Sequence, residues 1–117
     1  MNSPRNSVLD FLKGRETCQI AFGLYDLPIN WGNGGISCTG RVLYKPFEGA
    51  EMIWSEGHPF DVVPLLRLLQ QTIVGFQNPA EGTLILTFSN GDQLTVSRED
   101  GLEAFTIRHP GVPIVVG

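Results

Sequence analysis

Charge is scarce in this chain: Asp, Glu, Lys and Arg make up only 17% of its 117 residues. Against 42% hydrophobic residues, that balance is the opposite of a disordered, self-repelling polymer, and a chain of this length can bury a core without staples. Positive charge is the scarcer sign. Eight Lys and Arg residues are scattered from Arg5 to Arg108, whereas displacing counterions from a nucleic acid needs them clustered. Long apolar runs are missing too, and a membrane span needs about 20 such residues. Met1 to Arg5 lack the apolar centre of a signal peptide, so the expected location is cytoplasmic. The two cysteines, Cys18 and Cys38, form no CxxC pair and meet only two histidines, which is not a zinc pattern. Both fall on apolar faces and read as buried free thiols, with a disulfide as the alternative. Neither a metal nor a cofactor is expected.

What is present is a pattern that occurs twice. Val8, Leu9, Asp10, Phe11, Leu12 and Lys13 match the residues 57 positions later, Leu65, Leu66, Arg67, Leu68, Leu69 and Gln70. The same offset takes Leu27, Ile29, Trp31, Asn33 and Gly34 to Leu84, Leu86, Phe88, Asn90 and Gly91. With a shorter offset, Glu48-Gly49-Ala50-Glu51 resembles Asp100-Gly101-Leu102-Glu103. On that register Met52–Trp54 corresponds to Ala104–Ile107, and copy one carries a longer third strand or loop around Thr39 to Pro46.

Each copy begins as a short helix. Ser3-Pro4 and Asp61 serve as starts, Pro64 sits in a first turn, and Gly14 supplies a left-handed stop. Period-two alternation follows. Cys18, Ile20 and Phe22 share one side, as do Leu27, Ile29 and Trp31, then Ile36, Cys38 and Val42. In copy two the sets are Val74 and Phe76, then Leu84, Leu86 and Phe88, then Leu94 and Val96. Asn33-Gly34-Gly35 and Asn90-Gly91-Asp92 are tight reversals. The tail Val112 to Val116 adds an edge strand, open to pairing with a second copy. The predicted fold is α+β. One domain is made of two pseudo-repeats, about 3–59 and 60–117. Each is a helix plus an antiparallel meander, and together they form one curved sheet or open barrel with two short helices.

The sequence offers little chemistry. Glu56, His58 and Asp61 lie close together, but no nucleophile elbow or Cys–His arrangement accompanies them. They read better as a strand end and a helix cap, and the expectation is a protein that is not an enzyme. Gly32-Asn33-Gly34-Gly35 lacks the GK[ST] ending of a phosphate loop and reads as a hairpin turn. Between Lys45 and Arg67 there is no basic residue, while Glu48, Glu51, Glu56 and Asp61 carry a charge equal to the net −4. Trp54 stands among them. An aromatic flanked by acids suits an anchor with electrostatic steering toward a basic partner. The competing reading puts Trp54 in the core, with the acids as its solvated neighbours. Asp92, Glu99, Asp100 and Glu103 extend the acidic surface in copy two.

Phe11-Leu12-Lys13-Gly14, Phe88-Ser89-Asn90-Gly91 and Glu103-Ala104-Phe105-Thr106-Ile107 give the layout a resemblance to small bacterial immunity proteins encoded beside polymorphic or contact-dependent toxins. The resemblance spans roughly residues 8–108 and departs from that pattern at Phe105, where a tryptophan is expected, and at Gln71, where a glycine is expected. It implies a protein that binds and neutralises a cognate, basic toxin domain by occluding its active site. The residues for that contact are Glu48, Glu51, Trp54, Glu56 and Asp61. Two alternatives stay open. One is a non-catalytic interaction module or self-associating subunit, dimerising through the C-terminal edge. The other is a small ligand-binding protein or enzyme with a pocket lined by Trp31, Phe88 and the histidines.

Overall fold

A computed structural model describes residues 9–54, 63–99 and 102–117. Alternation dominates the sequence, and the described residues form ten strands: β1 (Gln19–Ile20), β2 (Leu27–Trp31), β3 (Gly34–Cys38), β4 (Arg41–Lys45), β5 (Met52–Trp54), β6 (Ile73–Ala80), β7 (Thr83–Phe88), β8 (Gln93–Ser97), β9 (Phe105–Arg108) and β10 (Val115–Val116). They build two antiparallel five-stranded sheets, ordered β1-β2-β3-β9-β10 and β5-β4-β8-β7-β6. The fold is therefore mostly β, not α+β, and the single curved sheet or open barrel is replaced by two sheets.

The expected helices shrink to 3₁₀ turns at Asp10–Leu12 and Val63–Leu68. The reason is visible in the leucine spacing. Leu9 and Leu12 are buried, and so are Leu65 and Leu68, each pair three residues apart. A 3₁₀ helix stacks i and i+3 in line, whereas an α-helix of so few residues lacks the length to repay its nucleation. Leu66 is left exposed. Gly14 takes the expected left-handed conformation, at φ 90°. After the second turn that role falls to Gln70, at φ 68°, one residue before Gln71. Ser3-Pro4, Val8 and Asp61 lie outside the described residues.

The two hairpins follow the alternation. Leu27, Ile29 and Trp31 on β2 pair with Cys38, Ile36 and Gly34 on β3. Leu84 and Leu86 on β7 pair with Val96 and Leu94 on β8. All of these inward side chains except glycine enter one shared core, together with Val42, Tyr44, Trp54, Phe105 and Ile107. Other calls change. β1 holds only two residues, so Cys18 and Phe22 are exposed and only Ile20 turns inward. Cys38 is buried, and both thiols are free. In β6 the register slips between Ile73 and Gly75, which buries Ile73 and turns Val74 outward, 53% exposed.

The halves are interlaced. Each sheet takes three consecutive strands from one half of the chain and two from the other. The chain leaves the first sheet at Thr39-Gly40 and enters the second directly as β4, so no long third strand exists there. The second crossing ends at Ala104, whose carbonyl accepts from Thr39 N–H at 2.8 Å and Gly40 N–H at 2.9 Å. A Cβ on Gly40 would meet the Ser97 carbonyl and the Ala104 backbone, so glycine lets the two crossings touch. By pairing position, β9 corresponds to β4, not to Met52–Trp54. The equivalence of the two acid-Gly-x-Glu turns therefore does not hold. Segments 14–17 and 70–73 join the sheets elsewhere, through an antiparallel bridge at Glu16 and Thr72.

Candidate partner-binding loop

β4 and β5 are joined by residues 46–51, and this loop carries Phe47, Glu48 and Glu51 at the surface. Phe47 is 74% exposed, the highest value among the large hydrophobic side chains described. Its backbone is nonetheless fixed. The Phe47 N–H donates to Asp92 Oδ1 at 2.8 Å. Beneath the ring lies Gly91, in the left-handed region at φ 89°. A Cβ there would stand 2.8 Å from Phe47 Cδ2, so a glycine gives the ring its seat.

Asp92 is the centre of this arrangement. It is only 4% exposed and accepts three hydrogen bonds. Besides Phe47 N–H, the Tyr44 hydroxyl donates to Oδ2 at 2.5 Å and Asn90 Nδ2 donates to the same oxygen at 3.0 Å. The Asp92 N–H in turn donates to Asn90 Oδ1 at 3.0 Å. A carboxylate withdrawn from water in this way is tolerable because donors occupy its lone pairs. Burial, the Asp92 hydrogen bond and the Asp92 charge push the Tyr44 hydroxyl up to about 12, against an opposing pull from Arg67. Asp92 is thus internal and is not part of the acidic surface. The sequence signal for it was the residue after Asn90-Gly91, which a turn reading treats as solvated.

The predicted site residues divide. Glu48 and Glu51 flank the exposed Phe47. Trp54 is 1% exposed, faces Val42 across the strand pair, and has an indole N–H without a partner among the described residues. It is a core residue, and the exposed aromatic among the acids is Phe47. Glu56, His58, Asp61 and Asp100 lie outside the described residues. Glu99 and Glu103 are exposed, and the Glu103 carbonyl accepts from Thr39 Oγ1 at 2.9 Å. β10 is the outer strand of the first sheet, with Ile114 and Val116 exposed beside it. No helix among the described residues is long and apolar enough to cross a membrane.

Trp31, at the corresponding end of the first sheet, and Phe88, on β7 of the second, are not exposed to a ligand. Both are buried in the core. The Trp31 indole N–H donates to His109 Nδ1 at 3.0 Å, and the Phe11 ring stacks on the imidazole at 5.1 Å. A polar depression of ≈ 510 Å³ lies on the outer face of that sheet, floored by Asn30, Gly35, Ser37, Thr106 and Arg108, with Asp26 at its margin. The sequence reading missed it because these are the outward alternates of three strands that meet only in the folded sheet. Among the described residues, no group of three or more His, Cys, Asp or Glu side chains is placed to hold a metal ion. Comparison with protein-family models, curated proteins and solved structures returned no significant match for this chain.

Proposed function

We propose that this chain is an immunity-type binding protein that docks on a basic toxin domain through the 46–51 loop and occludes its active site. One observation supports the reading most. A largely exposed aromatic, Phe47, has its backbone N–H held by a buried carboxylate and lies in one loop with Glu48 and Glu51. Leaving a large apolar ring in water while fixing its backbone favours a partner pocket, because the ordering cost is met before association. The two glutamates supply the long-range attraction that raises encounter rates with a cationic surface. The bacterial-immunity part of the reading comes from the sequence resemblance.

The test uses the C-terminal domain of the product encoded immediately upstream of this chain in its genome, with kinetics followed by surface plasmon resonance. Replacing Glu48 and Glu51 by Lys lowers the association rate at low salt roughly tenfold and flattens its salt dependence. Phe47→Ala acts on dissociation instead, with a loss of about 2 kcal/mol. Association and dissociation rates unchanged in both variants would refute this docking face. A domain that neither binds nor inhibits growth in the absence of this chain would refute the immunity reading.

A further inference from the structure

The two sheets end in matching loops. Residues 46–51 join β4 to β5 beside the β7–β8 turn, and residues 109–114 join β9 to β10 beside the β2–β3 turn. Each loop is pinned at its start to the neighbouring hairpin, but the pins differ in chemistry. The first is the Asp92 carboxylate on Phe47 N–H. The second is the Trp31 indole on His109.

An indole N–H can only donate, so His109 Nδ1 must be bare, and the ring must be neutral with its proton on Nε2. A proton arriving at Nδ1 takes the lone pair that holds the bond. Trp31 is almost wholly buried, and among the described residues its N–H has His109 Nδ1 as its acceptor. Among the described residues, the groups packed on the imidazole oppose that proton. Trp31 and Phe11 bring no charge, and Arg15, which follows the first 3₁₀ turn, brings a positive one. Arg15 is itself fixed, its Nε–H donating to Phe11 O at 2.8 Å. Arg108, the preceding residue in the chain, lines the outer depression on the opposite face of the sheet. Behind the ring, Gly34 allows the loop to seat. A Cβ there would stand 2.7 Å from Trp31 Nε1 and 3.1 Å from His109 Cα. Desolvation first and Arg15 second hold His109 below its ordinary value of 6.5.

We propose that the Trp31–His109 hydrogen bond is an acid-released latch: protonation of His109 frees the 109–114 loop, while the 46–51 loop stays pinned. Histidine is the side chain whose ordinary charge change falls between pH 5 and 8, and the first pin contains no histidine. The latch is independent of the Phe47 docking proposal.

The test is an NMR titration of the intact chain from about pH 8 to about pH 5, following the two indole N–H resonances, the His109 ring and amide exchange. The Trp31 indole resonance shifts with the midpoint of His109, and the Trp54 indole does not. Exchange protection in 109–114 falls roughly tenfold after correction for intrinsic rates, while 46–51 is unchanged. His109→Asn keeps an acceptor that does not titrate and abolishes the transition. His58→Gln, the control at the only other histidine, retains it. The latch is overturned if His109 titrates while the Trp31 indole and the loop stay still, or if His109→Asn keeps the transition. Should His109→Asn fail to fold, coincidence or separation of the two wild-type midpoints still decides.

Discussion

Asp92→Ala is the most informative single perturbation, because one buried carboxylate gathers donors from β4, the 46–51 loop and the β7–β8 turn. A hydrogen bond to a charged group contributes about 1.5–3 kcal/mol, and a buried donor left unpaired costs about 1–3 kcal/mol. The Tyr44 hydroxyl would be that donor, since its residue is 1% exposed. Relief of the desolvated charge offsets part of the loss. The expected net destabilisation is about 3 kcal/mol, a fall in Tm of roughly 10 °C for a chain of this size. Tyr44→Phe removes one donor and leaves the carboxylate two, at about 1–2 kcal/mol. In the double variant no orphaned hydroxyl remains, so the losses are less than additive by about 1–2 kcal/mol. Urea unfolding of the four proteins, with slopes compared to confirm two-state behaviour, gives the coupling directly. A spectrophotometric titration adds an independent reading, because Tyr25 and Tyr44 are the only tyrosines. Tyr44 ionises late, at about 12. The sign is fixed. A hydroxyl raised in the folded state stabilises fully below the unfolded value near 10 and ceases to do so as pH rises through about 12. Coupling near zero, or a Tyr44 hydroxyl that ionises at its ordinary value near 10 in the folded protein, would refute the network.

Two further outcomes test other parts of the fold. Burial, followed by the Asp26 charge, pushes the Cys38 thiol up to about 12. A thiol reagent at neutral pH should therefore label Cys18 first and Cys38 roughly a thousandfold more slowly or only on unfolding; two fast thiols would contradict the assignment. Gly40→Ala should lower stability by about 2–3 kcal/mol, since backbone lies on both sides of the new methyl. Gly32→Ala, with open space at that position, should change Tm by far less, and equal Tm values would count against the contact between the crossings.

The hairpins were legible because period-two alternation ending in Asn-Gly admits few alternatives, and Leu84, Leu86, Leu94 and Val96 all turn inward as written. The helices were misjudged because a Leu pair at i and i+3 inside a cluster of leucines satisfies the α and 3₁₀ periods alike. Only packing selects the one that buries Leu9 with Leu12 and Leu65 with Leu68. Sheet membership was not legible at all. Thr39-Gly40 looks like a loop, and nothing local says that β3 will pair with β9 and β4 with β8. The acidic, aromatic character of the 46–51 region could be read, but the wrong ring was chosen. Trp54 is the larger side chain, yet its place in β5 opposite Val42 turns it inward, while the loop residue Phe47 remains outside.

The interlaced sheets also constrain how the chain reaches its native state. A nascent chain carrying only the first half has β3 with no neighbour on its far side, and β4 and β5 with no sheet to join. β3 waits for β9, which lies in the other half, so an unpaired strand edge persists until both halves have been made. Non-local closure of this kind is slow and leaves edges open to association with other chains. Folding here needs both halves together, and a cut between them would deprive each sheet of two strands.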